Sequence, residues 1–236
     1  MAIEHRTDHV STPDGDFDLH LWLPESGSGP GIVLLQEIFG VGPYIRLRAE
    51  QLAALGYVVA APDVFWRLQR NWASEHTAEG LQASFGLVQD FDFPQGVQDC
   101  LLALKQVQAM PETGGRVAAM GFCLGGSLAY FLAALGDPTC AVSYYGSGIA
   151  GQLELASSVT CPIVFHFGGN DGYIPNDQVE AIRTAFADQA DATVVVQADA
   201  GHAFDNVEAP MFWTPDAAAA AWSITTAFLA EHLPIS

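Results

Sequence analysis

The sequence predicts an α/β fold, with a mostly parallel central sheet and helices on both faces of that sheet. Three observations lead to this prediction. Short apolar runs such as residues 31–36 are typical of strands that are buried on both faces. These runs alternate along the chain with helical segments, as in successive βαβ units. No repeat and no linker rich in proline and serine divides the 236 residues, so residues 1–236 are predicted to form a single domain.

The individual elements follow from apolar runs and the breakers that bound them. Residues 17–23 alternate with period two and end at Pro24, which predicts an edge strand of an early hairpin. The other strands are predicted at residues 31–36, 57–61, 116–120, 141–145, 162–167 and 193–196. Helices are predicted at residues 45–55, 96–109, 124–135, 177–188 and 216–232. Residues 66–92 are irregular and longer than an ordinary connection, which indicates a cover over a site.

Composition excludes several functional classes. Apolar residues make up 50% of the chain and charged residues 15%, unlike a disordered protein. Eight Lys and Arg against 27 Asp and Glu leave a net charge of −19, which repels nucleic-acid phosphates and anionic lipid headgroups. Charged residues near the N-terminus take the place of a signal peptide's apolar run, and no apolar run approaches the ~20 residues of a membrane span. We therefore expect a cytoplasmic protein that binds neither nucleic acid nor membrane.

The cysteines and histidines do not indicate a metal centre. Cys100, Cys123, Cys140 and Cys161 form no CxxC pair, so free thiols are expected in a reducing compartment. Apart from Cys123, each is expected to fill the core. No histidine stands at metal-ligand spacing from another histidine or a cysteine, and His166 lies within an apolar strand as a core residue. Neither a metal nor a cofactor is predicted.

The strongest functional signal is the motif G-x-C-x-G at residues 121–125, directly after a predicted strand and before a predicted helix. Glycines on both sides of Cys123 allow the sharp turn that pushes the central side chain out at the carboxyl end of the sheet. The helix N-terminus favours a thiolate there, and the N–H of Leu124 points to where an oxyanion would form. Cys123 is therefore the predicted nucleophile.

A nucleophile of this kind needs a base, and the base needs an acid that orients it. Asp171 follows the predicted strand at residues 162–167, and His202 follows the one at residues 193–196. Both lie in loops at the carboxyl ends of strands, where sheets of this class bind ligands. The chain order of nucleophile, acid and base also fits the fold. Asp171 and His202 are the predicted acid and base.

The loop after the first buried strand supplies the remaining candidates. In this architecture such a loop provides a second oxyanion N–H, assigned here to Ile38. Glu37 stands at the end of an apolar strand, where a carboxylate must be solvated, paired or functional. From the residues alone, structural and functional interpretations of Glu37 are equally supported.

At these positions the sequence resembles the dienelactone hydrolase family, also called carboxymethylenebutenolidases, within the α/β-hydrolase superfamily. The resemblance covers nearly the whole chain and is carried by residues 36–40, 62–63, 121–126, 144–146, 166–171 and 201–204. It implies a cysteine nucleophile at Cys123, an acid at Asp171 and a base at His202. It also implies oxyanion donors at the backbone N–H groups of Leu124 and Ile38.

For Glu37, the resemblance implies a carboxylate that contacts the resting thiol and takes its proton once substrate arrives. One departure concerns the two arginines with which the prototype enzymes hold a substrate carboxylate. Those positions align with Leu81 and Asn206, neither of which pairs with a carboxylate. Leu81, Phe85 and Asn206 are therefore predicted to contact a neutral or weakly polar substrate. Arg67 or Arg70 would take the arginines' place only if they faced the site.

The sequence thus predicts a hydrolase of small esters or lactones that acts through a covalent acyl–thiol intermediate and whose partner is its small-molecule substrate. It predicts no oligomeric state. A thioesterase or a general carboxylesterase would use the same residues, so these alternatives stay open. A non-catalytic scaffold or a thiol redox sensor is a further alternative, since sensing also needs a reactive exposed thiol. The complete set of nucleophile, acid, base and oxyanion loop argues against it.

Overall fold

An eight-stranded sheet runs through the computed structural model, which describes residues 3–235. Its strands stand in the order β1-β2-β4-β3-β5-β6-β7-β8. The β1–β2 and β2–β4 pairs are antiparallel, and the pairs from β4 through β8 are parallel. The strands are β1 (Glu4–Thr12), β2 (Gly15–Leu23), β3 (Gly31–Leu35), β4 (Val58–Pro62), β5 (Val117–Phe122), β6 (Ala141–Tyr144), β7 (Ile163–Gly168) and β8 (Ala192–Gln197).

Six α-helices accompany this sheet in the described residues: α1 (Pro43–Ala54), α2 (Ala78–Asp90), α3 (Phe93–Ala109), α4 (Leu124–Leu135), α5 (Asn176–Ala185) and α6 (Pro215–His232). Local sequence explains several of their starts. Helices α1 and α6 begin at a proline, whose fixed φ suits the first helical position. Thr77 and Asp92 cap α2 and α3 by accepting backbone N–H bonds from Gly80 and Gln95. Within residues 3–235, none of the helices has the length and apolar character needed to cross a membrane.

The mixed sheet with its helices agrees with the predicted α/β architecture, but two local predictions were wrong. Residues 17–23 lie in a hairpin strand, β2, yet the edge of the sheet is β1, which the sequence did not reveal. Strand β1 is mostly exposed and polar, so it lacks an apolar alternation. Within the irregular stretch at residues 66–92, the segment Ala78–Asp90 forms α2. Ser84 is its only buried residue, and most of its other side chains are exposed.

Parallel strands bring their carboxyl ends, and the loops that follow them, to one edge of the sheet. The register pairs Leu35 of β3 with Gly121 of β5, so the loop after β3 lies beside the turn after β5. On the other side of β5, Phe122 pairs with Tyr144 of β6, which in turn pairs with His166 of β7. The loops that carry the predicted site residues therefore meet at this edge.

A buried ion pair fixes one of these loops to the rest of the fold. The Arg48 guanidinium of α1 donates to the Asp205 carboxylate, with Nη2 at 2.7 Å and Nε at 3.1 Å from Oδ2. The Tyr44 hydroxyl donates to the same oxygen, and the Arg48 guanidinium lies 4.4 Å from the centre of the Trp222 ring in α6. Asp205 is fully buried and stands three residues after His202, so this pair ties the loop to α1 and α6.

Arg48→Ala is expected to lower the free energy of unfolding by about 3–5 kcal/mol, because it leaves the Asp205 carboxylate buried without a counter-charge. Urea denaturation followed by circular dichroism measures the change. Arg183→Ala is the matched control, since Arg183 and Glu180 form an exposed pair worth about 1 kcal/mol or less. A loss for Arg48→Ala no larger than for the control would contradict this assignment.

Candidate active site

Cys123 occupies a strained turn between β5 and α4. Its backbone has φ 53° and ψ −116°, a conformation that is costly for a residue with a side chain. A Cβ atom on Gly121 would lie 2.1 Å from the oxygen of Gly125, and one on Gly125 would lie 2.2 Å from the oxygen of Leu35. Only glycine fits these two positions, so the G-x-C-x-G motif is a steric requirement of the turn. The turn places the Cys123 thiol at the N-terminus of α4.

The three residues predicted to act together, Asp171, His202 and Cys123, are connected by hydrogen bonds. His202 Nε2 is 3.2 Å from Cys123 Sγ, and His202 Nδ1 is 2.8 Å from Asp171 Oδ2. The other carboxylate oxygen, Asp171 Oδ1, accepts the backbone N–H groups of Tyr173 at 2.8 Å and Ile174 at 3.2 Å. Those two bonds fix the carboxylate, which orients the imidazole toward the sulfur. Such an arrangement allows proton transfer between thiol and imidazole.

Electrostatics at His202 favour its protonated form. Burial lowers the pKa of His202, but negative charge on Cys123 and the hydrogen bond and charge of Asp171 raise it by more, to about 10. The ring is also held between aromatic side chains, with centroids 5.2 Å from Tyr145 and 4.9 Å from Tyr173. An imidazolium at this position is thus stabilised beside a thiolate.

The loop after β3 presents a backbone N–H group next to the start of α4. Its outer side is held by the Trp72 indole, which donates to the Ile38 oxygen at 3.2 Å, and by the Ser74 amide, which donates to the Phe39 oxygen at 3.0 Å. Within residues 3–235, the amides of Ile38 and Leu124 donate to no acceptor, and both residues line the same cavity. Two backbone donors are therefore free to bind an oxygen atom there.

Glu37 lies in the cavity wall, but its partners differ from those that the resemblance implies. Its Oε1 is 2.6 Å from His76 Nε2, and Asn206 Nδ2 donates to Oε1 and Oε2 at 3.0 and 3.1 Å. The hydrogen-bond partner of the Cys123 thiol is His202 instead. Sequence reasoning missed His76, because its position in the irregular stretch gave no sign of contact with Glu37.

The cavity beside Cys123 has a volume of about 140 Å³ and is mainly apolar. Its walls are formed by Glu37, Ile38, Phe39, Leu81, Phe85, Val88, Cys123, Leu124, Ser147, Tyr173, His202, Ala203, Asn206 and Phe212. The three predicted contact residues, Leu81, Phe85 and Asn206, are among them, the first two from α2. Glu37 brings a carboxylate, and within residues 3–235 no lysine or arginine lines the cavity.

The arginines considered as replacements for the family's carboxylate-binding pair lie elsewhere. Arg67 pairs with Asp99 and Asp14, each at 2.8 Å. The Arg70 guanidinium lies 5.3 Å from the centre of the Trp66 ring. Neither residue belongs to the cavity wall, so neither supplies a positive charge to it.

His166, Cys140 and Cys161 lie outside the cavity wall. Within the described part of the chain, no three His, Cys, Asp or Glu side chains are grouped to hold a metal ion. His166 is fully buried, which lowers its pKa to about 3, and its Nε2 is 3.0 Å from the Thr225 hydroxyl. Burial raises the pKa of Cys140 to about 12 and that of Cys161 to about 11, which keeps both as thiols at neutral pH.

Comparison with known proteins assigns the chain to a family. The family model described as the dienelactone hydrolase family matches residues 17–233. The chain belongs to the dienelactone hydrolase family. A carboxymethylenebutenolidase of Pseudomonas sp. (strain P51) is 36% identical over 223 residues, covering 94% of this chain and 92% of the relative. Carboxymethylenebutenolidase 1 of Cupriavidus pinatubonensis is 33% identical, covering 86% and 87%.

Solved structures agree with this membership at the level of the fold. A dienelactone hydrolase-like promiscuous phosphotriesterase from metagenomic libraries matches with a TM-score of 0.82 and 24% identity, over 100% of both chains. Dienelactone hydrolase from Anabaena variabilis matches with a TM-score of 0.74 and 18% identity, over 99% of this chain and 100% of the other. The predicted α/β-hydrolase fold is confirmed. The prediction of an enzyme is also confirmed, a carboxylic ester or lactone hydrolase of the dienelactone hydrolase type.

The electrostatics of His202 predict its titration. Because its pKa is raised to about 10, the imidazolium should persist through neutral pH and lose its proton only near pH 10. In Cys123→Ala the charge of the sulfur is gone while burial remains, so the midpoint should fall by about one pH unit or more. Proton NMR of the His202 ring between pH 5 and pH 11 measures both midpoints. Equal midpoints in the two proteins would contradict the coupling.

Proposed function

We propose that this dienelactone hydrolase family member hydrolyses small, uncharged carboxylic esters or lactones through an acyl–thiol intermediate on Cys123. The observation that carries the proposal is the continuous hydrogen-bonded line from the Asp171 carboxylate through His202 to the Cys123 sulfur, at 2.8 and 3.2 Å. The line ends in the apolar cavity. A nucleophile, an oriented base and a site for the reacting carbonyl thereby share one location.

In the first half-reaction, the Cys123 sulfur, whose proton is already held by His202 Nε2, attacks the carbonyl carbon. The carbonyl electron pair moves onto oxygen, and the free amides of Ile38 and Leu124 donate hydrogen bonds to that oxyanion. When the carbonyl re-forms, the carbon–oxygen ester bond breaks and the leaving alkoxide takes the proton from His202. For a lactone, the alkoxide stays part of the acyl group.

Water completes the cycle in the second half-reaction. His202 Nε2 takes one proton from water, and the hydroxide so formed attacks the acyl carbon of the thioester. The tetrahedral intermediate again places its negative oxygen on the two backbone amides. Its collapse releases the carboxylic acid and the Cys123 thiolate, which the His202 imidazolium stabilises.

The cavity wall supports an uncharged substrate. A carboxylate buried there would face apolar side chains and the Glu37 carboxyl group, with no lysine or arginine among the lining residues that the structure describes. An unpaired buried charge costs several kcal/mol. The cavity of about 140 Å³ also favours a small acyl or lactone group.

Thioesters and simple carboxylic esters would react by the same steps, so a thioesterase or a general carboxylesterase is the alternative within this chemistry. A redox sensor needs a reactive thiol, but it needs neither two free backbone amides nor an apolar cavity. The four free cysteines support a reducing location such as the cytoplasm.

Cys123→Ala is expected to lower kcat/KM for a neutral activated ester by about 10⁴-fold or more, because removal of the nucleophile disables the entire unit. His202→Ala should lose nearly as much, and the double variant little more than either single one. Steady-state rates with 4-nitrophenyl acetate measure the losses, with circular dichroism as a check of folding. Activity of Cys123→Ala within a few-fold of the parent would contradict the covalent mechanism.

A matched pair of substrates tests the uncharged cavity. One dienelactone is offered as its free carboxylate and as its methyl ester. The methyl ester is expected to have a kcat/KM at least about tenfold higher, because an unpaired buried charge costs several kcal/mol and each ~1.4 kcal/mol corresponds to a factor of ten. The comparison should be repeated at low and high salt to separate repulsion by the net charge of −19 from effects inside the cavity. Preference for the carboxylate by tenfold would overturn the argument.

A further inference from the structure

His76 and Glu37 form a buried acid–base pair in the wall of the cavity, outside the line of Asp171, His202 and Cys123. The His76 and Glu37 side chains are 4% and 3% exposed, and His76 Nε2 lies 2.6 Å from Glu37 Oε1. The His76 ring packs against Phe39, with centroids 4.2 Å apart. Both groups are thus held in place by tertiary contacts.

The hydrogen bonds of the Asn206 side-chain amide show which of its two polar atoms faces Glu37 and His76. Its Oδ1 accepts the backbone N–H of Glu208 at 2.9 Å, so its Nδ2 is the amino group that faces Glu37 and His76. Asn206 Nδ2 is a donor only and reaches both carboxyl oxygens of Glu37. A separation of 2.6 Å between Nε2 and Oε1 requires a hydrogen between these two atoms. His76 and Glu37 are therefore joined by a short hydrogen bond.

Other titratable groups around Glu37 do not neutralise it. Burial, and with it negative charge on Glu37, raises the pKa values of Tyr145 and Asp205, and both groups are acids that carry no positive charge. Arg48, the cation behind them, is engaged with Asp205 at 2.7 Å. In the cavity itself, His202 is paired with Asp171 and Cys123. Among the described residues, His76 and Asn206 are the side chains that hold the Glu37 carboxyl group by hydrogen bonds.

We infer that His76 is a positioning residue that holds the Glu37 carboxyl group away from the Cys123 thiol through this short hydrogen bond. The thiol proton then goes to His202 alone. This inference rests on the proposed role of Cys123 as nucleophile. It gives Glu37 a role that differs from accepting the thiol proton.

Alkylation of Cys123 by iodoacetamide without substrate tests the inference, because its rate follows the thiolate and needs no turnover. In His76→Ala this hydrogen bond is lost and the Glu37 carboxyl group is free to approach the thiol, so the pH of half-maximal alkylation should rise by about one unit. His76→Gln keeps a hydrogen-bond donor to Glu37 and should show a smaller rise. Adding Glu37→Gln to His76→Ala should return the midpoint to that of Glu37→Gln alone.

Two results would overturn the inference: an unchanged midpoint in His76→Ala, or a rise that persists in the double variant. The first would mean that His76 does not hold Glu37 in place, and the second that His76 acts through another group. If His76→Ala fails to fold, His76→Leu, which also removes the hydrogen-bond donor, takes its place in the same measurement. Failure of the proposed function can be distinguished from failure of this inference. The first would appear as ester hydrolysis by Cys123→Ala, which does not change the alkylation midpoints of the His76 variants.

Discussion

The site depends on one steric constraint, the strained backbone of Cys123 at the carboxyl edge of the sheet. A positive φ at this residue is possible because Gly121 and Gly125 let the turn press against its own helix and against β3. The same close contact brings the loop after β3 beside the turn, with Leu35 paired to Gly121. The Cys123 thiol, our proposed nucleophile, and the backbone donors are thus placed by packing of the sheet.

The opposite side of the site is held by buried polar contacts. Asp171 is fixed by two backbone amides, and the loop that carries His202 is tied to α1 through Asp205 and Arg48. Because each of these groups is buried and paired, loss of one partner exposes the other to an apolar interior. His76 does the same for Glu37 in the cavity wall. The candidate active site therefore combines a rigid turn with polar groups that are held by buried hydrogen bonds.

Sequence patterns predicted the structure correctly where neighbouring residues in the chain determine it. Apolar runs predicted the central strands, and G-x-C-x-G predicted the turn, because buried strands and tight turns restrict residue type at adjacent positions. They failed for β1 and α2, whose side chains are mostly exposed. They also failed for His76, which meets Glu37 across 39 residues and Asn206 across 130. Contacts of that kind arise only when the chain folds, and no spacing rule describes them.

The central claim is that the carbonyl carbon of the substrate becomes bonded to the sulfur of Cys123. Acid quenching during turnover of 4-nitrophenyl acetate, followed by intact mass measurement and peptide mapping, tests it directly. The account predicts one added acetyl group per chain, located on the peptide that contains Cys123 and lost on longer incubation. An enzyme that hydrolyses the ester at full rate with no acetyl group on Cys123 would contradict it.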